Sequence, residues 1–354
     1  MTDEKKQMQA NLIINAHMES SLEDEQVAEI VAETKTLLAN VNSRSYGQQL
    51  EEMEKIFIKI EKLPEIRQAE VFLKIIEQIP NLPLNQQERA LELIIERILN
   101  PNQEKQSPSM ITRWSKERLN ELITKIVEQI QHLAQDNQVR MALGIIGEIQ
   151  SLPDEQRTEV LLRVVEQIPS LAQDDQVRMV VEIARATESL PNEQRTEVLL
   201  RIVERISSLV QDNQVGIMIE IARATESLPN DQRTEVLLRI IEQIPSLAQN
   251  NQVEMALKII EKIQSLPDKQ RTEVLLKVVE QIPSLAQNNQ IGMVIEIARA
   301  TESLSDDQRT EVLSKIVKQI KNLNTDLSAN LQQAISNIDL NAELDANSQQ
   351  ATSK

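Results

Sequence analysis

The sequence predicts an all-α protein, an α-solenoid in which antiparallel helix pairs stack into a right-handed superhelix. The main observation is a 38-residue unit, SLPDEQRTEVLLRVVEQIPSLAQDDQVRMVVEIARATE, which begins at Ser151 and returns at Ser189, Ser227, Ser265 and, with more changes, Ser303. The second observation is that each unit divides into two halves of 19 residues, both of which open with Ser-Leu in the four units from Ser151 to Ser265. A fixed period of this size is typical of repeat proteins, in which neighbouring units cover each other's apolar faces.

The apolar residues within each half follow helical spacing. The first half carries Val160, Leu161, Val164, Val165 and Ile168, and the second half carries Val177, Val180, Val181 and Ala184. Both sets place one apolar stripe along a helix. We therefore expect one helix of about 14 residues per half, joined to the next by a short turn.

Polar residues and prolines recur at the predicted junctions. Asp or Asn occupies the fourth position of the first half, where we expect the side chain to cap the helix by accepting amide hydrogen bonds: Asp154, Asn192, Asn230, Asp268 and Asp306. Glutamines repeat near the helix starts, where we assign them capping and surface roles, as at Gln138, Gln176, Gln214, Gln252 and Gln290. Pro169, Pro245 and Pro283 follow the last apolar residue of the first helix, where a proline ring is expected to end it.

The period also predicts how the chain is organised. Residues 1–20 are interpreted as a disordered or frayed lead, and residues 21–99 as degenerate helical repeats. Residues 100–112 are polar, contain two prolines and shift the register by 13 positions, which indicates an inserted loop. Residues 113–322 hold the regular repeats, 323–340 a predicted capping helix, and 341–354 a predicted disordered tail.

The composition excludes several kinds of site. The net charge is −17, which disfavours nucleic acid because Lys and Arg must replace the counterions of its phosphates. The chain has no cysteine, two histidines and five glycines, and it contains no nucleophile–base, metal-ligand or nucleotide-binding motif. We therefore expect no enzyme activity, no cofactor and no metal, and we disfavour a small-molecule ligand.

The distribution of apolar residues bears on the cellular location of the protein. Residues 1–20 hold no apolar run that could act as a secretory signal, and no stretch is apolar for the length of a membrane span. We expect a cytoplasmic protein without a membrane partner.

Charged ladders give the candidate binding residues. Glu235 lies four residues before Arg239, in the order that favours an ion pair within one helix, and this spacing recurs in the other repeats. Glutamates also precede Arg185, Arg223 and Arg299 by three residues. We interpret most of these charges as solvated pairs, but the three arginines form a candidate partner-binding stripe. Trp114, beside the inserted loop, is a candidate aromatic anchor.

Over residues 24–340 the chain resembles the α-solenoid class that includes HEAT and armadillo repeats. The resemblance is architectural, because no motif of either family is present; a recurring arginine (Arg157 and its equivalents) is the one ladder comparable with HEAT units. LPDEQR at 152–157 also resembles the helix start of TAL-effector repeats, but their variable base-reading pair is absent. Octotricopeptide repeats, which bind RNA, are similar in length alone.

The function predicted from these patterns is a non-enzymatic scaffold that binds a protein or a peptide segment. The composition also resembles effectors that intracellular bacteria deliver into host cells, by a route other than a secretory signal. A self-associating structural rod is the main alternative, and a nucleic-acid-binding repeat protein is a second alternative that the net charge disfavours.

Overall fold

A computed structural model of the protein describes residues 23–37, 46–99 and 115–320. These residues form fifteen α-helices and no strand. The helices are α1 (23–37), α2 (Tyr46–Glu61), α3 (Glu65–Gln78), α4 (Leu84–Leu99), α5 (Lys116–Ile130), α6 (Gln135–Glu148), α7 (Asp154–Gln167), α8 (Gln173–Ala186), α9 (Asn192–Arg205), α10 (Gln211–Ala224), α11 (Asn230–Gln243), α12 (Gln249–Lys262), α13 (Asp268–Gln281), α14 (Gln287–Ala300) and α15 (Asp306–Ile320).

The helices from α6 to α14 are 14 residues long, and each of the repeats has one helix per 19-residue half as the spacing predicts. Most of them continue into one turn of 3-10 helix, such as Ile168–Ser170 after α7. Pro169 lies in that turn, but α9 ends at the equivalent residue and continues into the same turn with Ser207 in place of the proline. That the proline ends the first helix therefore stays a prediction. The recurring isoleucine of the turn, Ile168, is fully buried and holds the turn against the core.

The capping prediction is wrong. Helix α7 begins at Asp154 itself, and its N-cap is Pro153, with φ −55° and ψ 148° and no side-chain capping bond. Proline suits this place because its ring fixes an extended entry to the helix, and its carbonyl accepts from the amide of Arg157 at 3.0 Å. The Asp154 carboxylate instead accepts a bond from the Arg157 guanidinium.

The glutamines of the second half are buried rather than on the surface. Gln252 is 4% exposed, and its Nε2 donates at 3.0 Å to the carbonyl of Leu247, in the turn that precedes α12. The same bond recurs at the equivalent glutamines, Gln138, Gln214 and Gln290. Each amide therefore ties the start of its helix to the preceding turn, which satisfies a carbonyl that the helix cannot reach.

The described residues divide into two compact units, which meet in the sequence between Ala172 and Gln173. In the second unit, α8, α10, α12 and α14 lie side by side and form one layer, and α9, α11, α13 and α15 form the other. We call these the B layer and the A layer. In the first unit, α3, α5 and α7 lie side by side in one layer, and α4 and α6 lie side by side in the other.

This alternation of helix layers confirms the all-α solenoid class, and the right-handed sense of the superhelix stays a prediction. Helices α1 to α4 lie within the range assigned to degenerate repeats, and α5 to α15 within the range assigned to regular ones. The predicted lead, inserted loop, capping helix and tail lie outside the described residues, and the division into these ranges stays a prediction.

Candidate functional site

The candidate arginines all lie on the B layer, in the last turn of their helices. Arg185 on α8, Arg223 on α10 and Arg299 on α14 occupy the same position of the repeat. We define the B-layer crest as the sixth, ninth, tenth and thirteenth residues of α8, α10, α12 and α14. The structure thus brings the three predicted arginines onto one layer of one unit.

Within the described residues, each crest arginine forms its ion pair with a glutamate of its own helix. Arg185 Nη1 lies 2.8 Å from Glu182, Arg223 Nη1 2.8 Å from Glu220, and Arg299 Nη1 2.7 Å from Glu296. The predicted pairing at a spacing of three residues is therefore confirmed. The three arginine side chains remain 66%, 59% and 61% exposed, so the pairs cover little of each guanidinium.

The equivalent pair on α12 has the opposite polarity. Lys258 occupies the tenth position and Glu261 the thirteenth, and their charged groups lie 3.1 Å apart. The sixth position follows the same trend, since α8 carries Arg178 and α12 carries Glu254, both exposed. The residue at the thirteenth position is therefore positively charged in α8, α10 and α14 and negatively charged in α12.

The A layer arranges its charges differently. Glu204 on α9 contacts Arg201 of its own helix at 3.0 Å and Arg239 of α11 at 3.4 Å. The same double contact recurs at each step: Arg239–Glu242 (2.9 Å), Lys277–Glu242 (3.1 Å), Lys277–Glu280 (3.9 Å) and Lys315–Glu280 (3.3 Å). These seven side chains form one ion-pair chain across α9, α11, α13 and α15, whereas the crest pairs stay separate.

The ion-pair chain affects the titration of its members. Hydrogen bonds from Arg239 and then from Lys277 lower the pKa of Glu242, and bonds to Glu242 and Glu204 raise the pKa of Arg239. The expected pairing of Arg239 with Glu235 is not among these contacts. Arg239 instead contacts Glu242 of its own helix and Glu204 of the neighbouring helix. Contacts between neighbouring helices cannot be predicted from the periodicity of one helix.

Glycines are concentrated on the second helices of the repeats. Gly216 and Gly292 lie on the crest at the sixth position of α10 and α14, and Gly144 and Gly147 occupy the tenth and thirteenth positions of α6 in the first unit. A Cβ at any of the four would meet nothing within 4 Å, and none has a positive φ. Nothing within the described chain requires glycine there, although a mid-helix glycine costs about 0.5–1 kcal/mol relative to alanine.

An apolar row completes the crest. Val181, Ile219 and Ile295 are half-buried at the ninth position, and Leu257 is 37% exposed. A half-buried leucine row also occurs on the A layer, at Leu200, Leu238 and Leu276, so the row by itself does not distinguish the two layers.

The other candidates give no second site. Trp114 lies outside the described residues. In the first unit, α1 and α2 enclose a cleft of about 570 Å³, but its Lys59 already bonds Glu33 at 2.6 Å. Within the described ranges, no group of three or more His, Cys, Asp or Glu side chains is placed to hold a metal ion. No helix among those ranges has the length and apolar content that crossing a membrane requires.

Comparisons with known proteins add little. No protein-family model matches the chain, and no curated protein sequence is significantly similar to it. Among solved structures, the chain is similar to a circular tandem repeat protein with a novel repeat topology and enhanced subunit contact surfaces, at 11% identity and a TM-score of 0.37, covering 90% of this chain and 91% of that one. It is also similar to an engineered protein, at 16% identity and a TM-score of 0.31 over 85% and 83% of the two chains. These likenesses are too distant to carry an argument about function.

Proposed function

We propose that the protein is a non-enzymatic scaffold that binds a protein or peptide segment on the B-layer crest. The observation that supports this is the contrast between the two layers. The A layer links its cations and carboxylates into one continuous chain, whereas the crest holds exposed arginines in separate pairs. Exposed arginine with adjacent apolar side chains is typical of binding surfaces between proteins.

The glycines of the crest support the same proposal. Gly216 and Gly292 lower helix stability without serving the packing of the described chain. A bare helix surface does allow the backbone of a partner to approach closely. The role of these residues therefore fits a partner better than it fits the fold.

The proposal is tested by affinity capture with the full chain as bait, from bacterial and from eukaryotic lysates. The variant R185A/R223A/R299A removes the three crest cations, and R201A/R239A/K277A removes three cations of the A layer as a control with the same change of charge. We expect saturable protein partners that the crest variant loses and the control retains. Circular dichroism of both variants checks that the helices persist.

Two results would contradict the proposal. Capture that both variants retain would remove the crest from consideration. Growth of the native mass with concentration in light scattering, without any partner from either lysate, would favour the self-associating rod. Delivery into a host cell and action in its cytoplasm stay predictions from composition, and the lysate that yields the partner bears on them directly.

A further inference from the structure

We propose that the partner of the crest is an extended polypeptide segment of mixed charge, which crosses α8, α10, α12 and α14 in turn. It carries acidic residues opposite α8, α10 and α14 and a basic residue opposite α12. This inference rests on the proposed function and adds the charge pattern and the register of the partner.

The acidic residues follow from donors that the crest arginines leave unused. Arg185, Arg223 and Arg299 each contact their own glutamate through Nη1 alone. Within the described residues, no hydrogen bond or ion pair is made by the edge that Nη2 and Nε form. This edge can bind a carboxylate through two parallel hydrogen bonds.

The basic residue follows from the reversed pair on α12. An acidic segment continuing past α10 would meet Glu261, whose side chain is 66% exposed, and the exposed Glu254 on the same helix. Like charges placed opposite each other across an interface disfavour the complex. A nucleic acid, with a negative charge at every step, would meet the same two carboxylates, so we favour a polypeptide.

The spacing of the partner residues follows from helix packing. Neighbouring helices lie about 8–10 Å apart, and an extended chain in the polyproline II conformation advances about 9 Å in three residues. Every third residue of such a segment therefore faces the next helix. The motif of the partner is acidic-x-x-acidic-x-x-basic-x-x-acidic. Apolar residues between the charged ones contact Ile219 and Leu257, and the backbone of the segment lies close to Gly216 and Gly292.

The test measures binding of fluorescent peptides of about 12 residues to the full chain by anisotropy, the length following from three helix spacings. The matched peptide carries the motif, and the comparison peptide replaces its single lysine by glutamate; each is made in both sequence orders. We expect the native protein to bind one order of the matched peptide about tenfold more tightly than its comparison peptide. K258E/E261R gives α12 the polarity of its neighbours and should reverse this preference.

The control is R239E/E242R, which exchanges one pair on the A layer and, like the α12 exchange, leaves the net charge unchanged. It should keep the native preference. Equal binding of the two peptides, binding of neither, or a preference that survives K258E/E261R would each overturn this inference. If neither peptide binds but R185A/R223A/R299A abolishes capture of a partner from a lysate, the proposed function stands. Only the charge pattern proposed for the partner is then wrong.

Discussion

Arg233 extends from the first turn of α11 to the last residue of α12, where its Nη2 donates to the carbonyl of Lys262 at 2.6 Å. Its Nη1 donates to the hydroxyl of Ser265 at 2.9 Å. The guanidinium is buried, and burial lowers its pKa. Arg195 makes the equivalent contact with the carbonyl of Ala224. A cation at this place gives a carbonyl at the end of a helix a charged hydrogen-bond donor and complements the helix dipole.

We expect R233M to lower the free energy of unfolding by about 1–3 kcal/mol, because the charged hydrogen bonds to the Lys262 carbonyl and the Ser265 hydroxyl are lost. Urea denaturation followed by circular dichroism measures the loss, and hydrogen exchange should show it in α11 and α12. R185A is the control, since that arginine is exposed and its removal should cost less than about 0.5 kcal/mol. Equal losses in the two variants would contradict a clamping role for Arg233.

Gln252 gives a prediction with two substitutions. Q252L removes its bond to the Leu247 carbonyl and should cost about 1 kcal/mol. Q252E should cost more at pH 7, because a buried carboxylate cannot donate to that carbonyl. Burial would raise the pKa of the new carboxyl group above its unfolded value, so the protonated form is favoured in the native state, and the deficit should shrink as the pH falls. A Q252E deficit that does not depend on pH would contradict the burial of this position.

Replacing the exposed glycines of α6 by alanine should raise the free energy of unfolding. G144A and G147A should each stabilise the protein by about 0.5–1 kcal/mol, since alanine lowers the entropy of the unfolded chain and its Cβ meets nothing in the helix. Urea denaturation of the single and double variants measures this, and the gains should add. A loss of stability in either single variant would mean that the helix surface at that position is in contact with another part of the molecule.

The ion-pair chain predicts a dependence on pH. The folded pKa of Glu242 lies below its ordinary value of 4.5, so its contribution is present above that pH and is lost as the pH falls through the lower folded value. E242Q should therefore reduce stability at pH 7, by less than about 1 kcal/mol for so exposed a pair, and its difference from the native protein should narrow below pH 4.5. Thermal denaturation between pH 3 and pH 7 checks this, and a difference that widens in acid would contradict it.

The helices were predictable because one apolar stripe per 19 residues is enough to specify them. The starts of the helices were predicted less well, because Asp and Asn are common N-cap residues and each follows a proline here. In the structure Pro153 supplies the extended entry itself, which shifts Asp154 into the helix. The burial of Gln252 was missed as well, because it depends on the turn that folds back over the helix start.

The candidate site was predictable only in part. The recurrence of Arg185, Arg223 and Arg299 at one position places them on one helix surface, and the structure assigns that surface to the B layer. The continuous chain through Glu204 and Arg239 was not predictable, because its contacts join side chains 35 residues apart on neighbouring helices. The reversed polarity of Lys258 and Glu261 is visible in the sequence, but its meaning depends on knowing which residues share the crest.

The ion-pair chain of the A layer has a consequence for the growth of the gene. The repeats that begin at Ser227 and Ser265 each contribute a base that contacts the glutamate of the preceding repeat and a glutamate that contacts the base of the following one. A duplicate of either 38-residue segment, inserted between these repeats, thus arrives with both of its ion-pair contacts already matched. Lengthening by unequal recombination needs no compensating substitution, and loss of a copy leaves no mismatched junction, so variants that differ in repeat number are all accessible to selection.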